Sequence, residues 1–312
     1  MRIGVALPQY AYSQDFGWDG LRAWAWRAEV LGFGSVWLSD HLFLGIERYG
    51  GPPGRHATLD PFVALAAVAA ETSSVRIGTL VVCAQLRPPA VLANAAAALD
   101  HVSGGRLVLG LGAGWFEPEF RLAGVPFGTP RERLAELATV LDGVRDCWAE
   151  GSGMLTPVQR PHPPLWVGGK GGPRLLDVVA RHADGWNTVW VWTPEDYARR
   201  LEALEGICRA AGRDPATVTQ SVGLYALAGH DEADLRARFD RLRRLTPAGV
   251  LDGMDLAEWR RGRLVGTVAE VRAQRDRWAE LGVDELIVGP AALPFAVSDP
   301  DDLDVLALAL TG

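Results

Sequence analysis

The chain has 312 residues, with 31 Lys and Arg against 38 Asp and Glu, a formal charge of −7 and 12 Trp. Its length is ample to bury a core without a disulfide or a structural metal. The acidic balance argues against a nucleic-acid partner, which needs a basic face, and 48% hydrophobic with 22% charged residues excludes a disordered chain. Taken from the N-terminus, residues 2–7 (RIGVAL) form a short apolar run ending at Pro8. Residues 18–31 are amphipathic at helical spacing and close at Gly32, a C-cap signal. The strand-like 35–39 (SVWLS) is followed by an Ala-rich helical stretch, 60–71, with Pro61 in its first turn. The pattern repeats as strand 75–82 and helix 89–102, strand 106–111 and helix 131–150, strand 165–167 and helix 174–182. It continues with strand 185–192 and helix 194–211, then strand 218–227 and helices 232–245 and 268–281. Strand 285–288 and helix 301–310 close the series.

Eight strand candidates, each followed by helix, imply a parallel sheet covered on both faces. Eight is the count of a (β/α)₈ TIM barrel, and no linker interrupts residues 1–312, so one domain is expected. A doubly wound open sheet is the rival arrangement. The three cysteines, Cys83, Cys147 and Cys208, have no ligand or pairing spacing, so neither zinc nor a disulfide framework is expected. The N-terminal apolar run is too short for a signal peptide, and the longest apolar run, 62–70, is about half of a bilayer span. A cytoplasmic protein with no membrane segment is the expectation.

Chemistry in such a barrel collects on the loops after the strands. There the sequence places Pro8 and Gln9, Asp40 and His41, Cys83, Gly112 to Trp115, Gly168 to Gly172, Trp190 and Trp192, Tyr225, and Gly289. The stretch Gly168, Gly169, Lys170, Gly171, Gly172, Pro173 sits between a strand and a helix. Converging backbone amides and a helix N-terminus suit a phosphate there, with Lys170 adding charge. It is not a Walker A loop, since no Ser or Thr follows the lysine. GLGAGW (residues 110–115) lacks the last glycine of a dinucleotide fingerprint, and reads better as a close-approach floor, through Gly112, beneath a flat ring. His41 can hold or donate a proton near neutrality, with Asp40 orienting it or bonding the cofactor. His101, His162 and His182 are read as structural. Trp115, Trp190 and Trp192 are expected to shape an apolar substrate cavity, with Glu119 a lesser polar candidate on its rim. Trp24, Trp26, Trp148, Trp259 and Trp278 fall in helical stretches and read as packing. No nucleophile–base pair or metal motif is visible.

At these residues the chain resembles the bacterial luciferase-like superfamily of flavin and deazaflavin enzymes. The resemblance runs through 31–43 (LGFGSVWLSDHLF), 76–82 (RIGTLVV), 89–115 (ending SGGRLVLGLGAGW), 117–127, 157–169 (PVQRPHPPLWVGG), 180–187 (ARHADGWN) and 266–289. It looks most like the branch that uses coenzyme F420, an 8-hydroxy-5-deazaflavin. The resemblance implies a ring at the barrel mouth, with its phosphate over the strand-five loop and Asp40 and His41 beside its reactive edge. It also implies a non-prolyl cis peptide at Leu80–Val81, so that Leu80, Val81 and Val82 buttress the ring. The expected activity is hydride transfer with a small organic substrate. The alternatives are an FMN-dependent monooxygenase and a non-catalytic barrel that only binds a flavin-like ligand. A homodimer is the default assembly. Two departures stand out. Trp115 replaces a Glu of some sugar-phosphate dehydrogenases, whose substrate therefore does not carry over. The stretch 150–157 is short for the family, which suggests a lower wall and a more open pocket.

Overall fold

The computed structural model describes residues 1–13, 15–297 and 299–312. Its centre is a ring of parallel strands: β1 (Arg2–Ala6), β2 (Ser35–Leu38), β3 (Arg76–Thr79), β4 (Leu107–Gly112), β5 (Leu165–Gly168), β6 (Gly185–Trp190), β7 (Thr219–Gly229) and β8 (Glu285–Gly289). Each pairs with the next, and β8 returns to β1 through Arg2↔Glu285 to Val5↔Val288, so the sheet closes. The TIM barrel is thus observed, and the open-sheet alternative is excluded.

The strands are apolar on both faces because both are covered. On β2, Val36 and Leu38 pack outward against helices, while Trp37 points into the barrel. On β5, Trp166 also points inward, and its ring stacks on Trp37 with centroids 5.1 Å apart. Two indoles fit only because small residues face them. A Cβ on Gly78 would come within 2.2 Å of Trp37, and one on Gly185 within 2.5 Å of Trp166.

The outer layer holds α1 (Trp18–Val30), α2 (Pro61–Glu71), α3 (Pro89–Val102), α4 (Glu117–Ala123), α5 (Pro130–Trp148), α6 (Pro173–His182), α7 (Pro194–Ala210), α8 (Glu232–Leu245), α9 (Leu256–Arg260), α10 (Val268–Glu280) and α11 (Pro300–Leu310). Many begin with proline, whose missing N–H is no loss in a first turn. Asp60 caps α2 by accepting from Phe62 and Val63, and Thr129 with Glu132 forms a capping box on α5.

Four pieces lacked a sequence signal: α4, α9, an antiparallel pair Phe43–Leu44 with His56–Ala57, and Leu264–Thr267, which pairs with the end of β7. Each is too short to show a period. The expected strand 75–82 is broken after Thr79 and resumes at Val82–Cys83, with a cis Leu80–Val81 bond between, as the resemblance implied. A second non-prolyl cis bond, Val189–Trp190, was not foreseen. Trp26, read as packing, is instead 60% exposed. The expectation of a lower pocket wall at 150–157 is also corrected. This stretch follows α5 at the face where strands begin, where the Thr156 carbonyl accepts from His101 and the next residues pack on Gly105. Shortening it leaves the mouth untouched.

Candidate active site

Strand β2 delivers Ser39, Asp40 and His41 to the mouth, and β1 fixes where they stop. Gln9 donates to the carbonyls of Ser39 (2.7 Å) and Leu59 (2.9 Å) and accepts from the Ser39 amide (2.7 Å). The buried Tyr10 hydroxyl bonds the Ser39 hydroxyl. With both partners buried, this network leaves the end of β2 one geometry.

Asp40 and His41 then part company. Asp40 is 3% exposed and accepts from the Arg87 guanidinium and from the Cys83 amide at 3.2 Å. Burial pushes its pKa up, against the pull of Arg87. Arg87 also bonds Asp60 at 2.9 Å, tying the strand end to the cap of α2. Asp40 therefore does not orient His41, as the sequence had suggested. That partner is Glu119, on α4. Its carboxylate lies 2.7 Å from His41 Nδ1, also accepts from the Leu42 amide, and is 2% exposed. Glu119 was expected on the rim as a substrate contact, and it is instead buried beneath the histidine. The signal that would have shown this lies in tertiary structure, since 78 residues separate the pair. Where a carboxylate accepts from Nδ1, Nε2 is the ring nitrogen left for a ligand. The His41 side chain is 16% exposed, next to Trp115 at 5.6 Å and Tyr10 at 6.3 Å.

The floor of the mouth is made where β3 is interrupted. Val81 is half-buried, and its methyls occupy the space that Cβ atoms on Gly112 and Gly168 would need, each at 2.6 Å. The three residues form a low apolar saddle with backbone on both sides. Val82 packs outward against the helices, Leu80 falls in the inner cluster that also holds Trp190 and Tyr225, and Val81 is the least buried of the three.

Beside this floor, Gly169 to Gly172 lead into α6. Gly171 has φ +70°, and Gly172 caps the helix with no side-chain bond to its first amides and with open space where a Cβ would stand. Lys170 turns away from the turn. Its ammonium bonds the Val189 carbonyl and lies 5.2 Å from the Trp192 ring, and burial together with Arg48 lowers its pKa. The turn is thus a cup of amides with its cation to one side.

The aromatic wall is broader than expected. Trp115 is 42% exposed and carries the Arg48 guanidinium on its ring, while Trp190 stacks on Tyr225 and meets Phe295 edge-on. Trp192 is buried against Tyr197, so it supports the wall more than it lines it. Trp259 packs as read: it is 1% exposed, with its ring stacked on Tyr225 behind that wall. Burial pushes the Cys83 thiol up to about 12, with the Asp40 charge adding to it, which disfavours the thiolate. Among the described residues no group of His, Cys, Asp and Glu could hold a metal, and no helix is long and apolar enough to cross a membrane.

Comparison with known proteins follows the same lines. A family profile described as luciferase-like monooxygenase matches residues 1–285. The F420-dependent hydroxymycolic acid dehydrogenase of Mycobacterium tuberculosis is 31% identical, over 96% of this chain and 83% of its own length. Among solved structures, an F420-dependent secondary alcohol dehydrogenase superposes with a TM-score of 0.76 at 19% identity, over 99% of this chain and 96% of its own. The monooxygenase RslO1 from Streptomyces bottropensis gives 0.75 at 26% identity, over 99% and 98%.

Proposed function

The chain belongs to the luciferase-like monooxygenase family, and on that premise we propose that it is an oxidoreductase that uses coenzyme F420 to exchange a hydride with a small organic substrate. The observation that carries this reading is the His41–Glu119 pair, set beside a glycine-lined floor. The residues fit a flat ring with a phosphate tail. The Val81 methyls leave room only for glycine at 112 and 168, which bares backbone for a flat ring, and Gly172 leaves open space at the start of α6, whose first amides have no side-chain cap. When bound, a 5-deazaflavin supplies two-electron hydride exchange at ring carbon 5.

The chain's own part is binding, orientation and proton management. Val81 and the two glycines hold a ring at one depth. His41 Nε2 gives a proton to a substrate oxygen in the reductive direction and takes one in the oxidative direction. Glu119, accepting from Nδ1, holds the tautomer and orientation and stabilises the imidazolium. Trp115 and Phe116 pack edge-on against His41 and keep water from its sides. Asp40 and Arg87 anchor the loop end.

A second reading, an FMN-dependent monooxygenase using oxygen, is supported by the likeness to RslO1. Titrating the purified protein with F420 and with FMN separates the two. The first reading expects F420 to bind and to change redox state with an alcohol or ketone panel. Micromolar FMN binding without F420 binding overturns it.

A further inference from the structure

Trp115 is shared between His41 and Arg48, and a second guanidinium, that of Arg263, lies on the Trp259–Tyr225 stack. Arg48 lies 4.1 Å from the Trp115 ring centre, and Arg263 lies 4.1 Å from that of Trp259 and 6.0 Å from that of Tyr225. Glu47 accepts from the Gly54 amide; Glu258, whose charge acts on Arg263, lies 3.7 Å from Arg261, and the Arg263 Nη1 donates to the Trp259 and Arg261 carbonyls, which leaves both guanidinium charges without a salt bridge among the described residues. Cations resting on ring faces in a partly dry mouth attract an anion more strongly than solvated ones.

A second observation points to the same place. Tyr225 is 4% exposed, and its hydroxyl is buried with no hydrogen-bond partner. Its ring is held between Trp190 at 5.3 Å and Trp259 at 5.9 Å, so it has no room to turn toward water. The groups whose charge bears on that hydroxyl include Tyr49, Arg263 and Arg48. The Arg263 Nε is also buried without a partner. Leaving such donors unmade costs stability, and a ligand that accepts from them removes the cost.

We propose that Tyr225, Arg48 and Arg263 form a subsite for an oxyanion, a carboxylate or phosphate monoester, carried by an otherwise apolar organic substrate. The Tyr225 hydroxyl donates to the anion, the two guanidinium groups neutralise it, and the indole wall takes the apolar body. The inference rests on reading the mouth as the substrate site, and it adds the substrate's chemical class.

Calorimetry on the apo protein tests it with three probes: naphthalene-2-carboxylate, 2-naphthyl phosphate and the uncharged naphthalene-2-carboxamide. At least one anionic probe is expected to bind tighter than the carboxamide by roughly tenfold or more. Tyr225→Phe and Arg48→Gln should each erode that preference while keeping the circular dichroism spectrum and F420 affinity. Equal affinity for all three probes in the wild type overturns the proposal. The cofactor's own acidic tail is the rival source of an anion. Variants that weaken F420 but spare 8-hydroxy-5-deazariboflavin, the chromophore without phosphate and tail, would assign the subsite to that tail and overturn the substrate claim. Preference for the anionic probes without any F420 binding would sink the cofactor reading and leave this subsite standing.

Discussion

At the residue scale, the proposed chemistry narrows to one imidazole and the carboxylate behind it. His41→Ala is expected to lower kcat by roughly 10²–10⁴-fold, the usual contribution of a positioned acid–base group. Glu119→Gln keeps the shape but can present an N–H to Nδ1, which frees the tautomer; it should lower kcat by less than His41→Ala. Steady-state kinetics with F420 affinity measured alongside checks both, and unchanged turnover in His41→Ala removes it from the mechanism. The position of His41 was legible in the sequence because it follows an apolar strand at a predicted mouth. Its partner was not, because a bond across 78 residues leaves no trace in local spacing. For the same reason Asp40 was given a task that belongs to Glu119. Adjacency in sequence suggested the pairing, while side chains of successive residues at a strand end point different ways. Arg48 and Tyr49 escaped notice because a three-residue 3₁₀ turn shows no period, and Arg263 because it sits on a bend whose placement only the folded chain defines.

At the element scale, turns and caps decide what is tolerated. Gly171→Ala forces a side chain into φ +70° and sets a Cβ 2.8 Å from the Trp186 ring, so a loss of about 1–2 kcal/mol or more is expected in denaturant melts. Gly172 has φ −67° and open space, so Gly172→Ala should stay within about 0.5 kcal/mol. The same methyl would stand in the amide cup, so F420 affinity should fall while that of the phosphate-free chromophore holds. A second case lies on the opposite face. Glu29, near the end of α1, accepts from the amides of Ser73, Ser74 and Val75 at 2.6–3.2 Å and so pins the entry to β3. Burial raises its pKa, but the hydrogen bonds from Ser74, Ser73 and Val75 outweigh this and leave it lowered. A lowered folded pKa means stability that is present above the unfolded carboxyl pKa and lost as pH falls through the folded one. Glu29→Gln should therefore cost about 1 kcal/mol at pH 7, a figure discounted for the site's exposure, and nothing once the wild-type carboxyl is protonated. Urea melts between pH 7 and pH 3 measure this, and a cost that persists into acid would refute it. The long periodic helices were legible to within a residue or two, since amphipathic spacing and N-terminal proline mark them. The break in β3 was not readable from spacing at all and came only through resemblance to relatives.

At the scale of the whole molecule, closure of the ring depends on a buried charge. Glu285 opens β8 at 1% exposure, accepts from the Ser35 hydroxyl of β2, and lies 3.4 Å from Arg2 and 3.8 Å from Arg76. One carboxylate thus binds β1, β2 and β3 at the seam where the first and last strands meet. Glu285→Ala strands these partners and should cost roughly 3–5 kcal/mol. A thermal melt reads that loss, and F420 affinity at low temperature should be unaltered, because this end lies opposite the mouth. The barrel count was legible because the eight alternations are local facts, whereas the seam joins residues 285 and 2 and had to be seen. The His41–Glu119 pair, drawn from the loops after β2 and β4, has a consequence of another kind. It exists only when those two segments have docked across β3, so its hydrogen bond is a built-in clock for assembly. A downfield imidazole N–H resonance in refolding protein would mark the moment that the mouth is finished, independent of any cofactor.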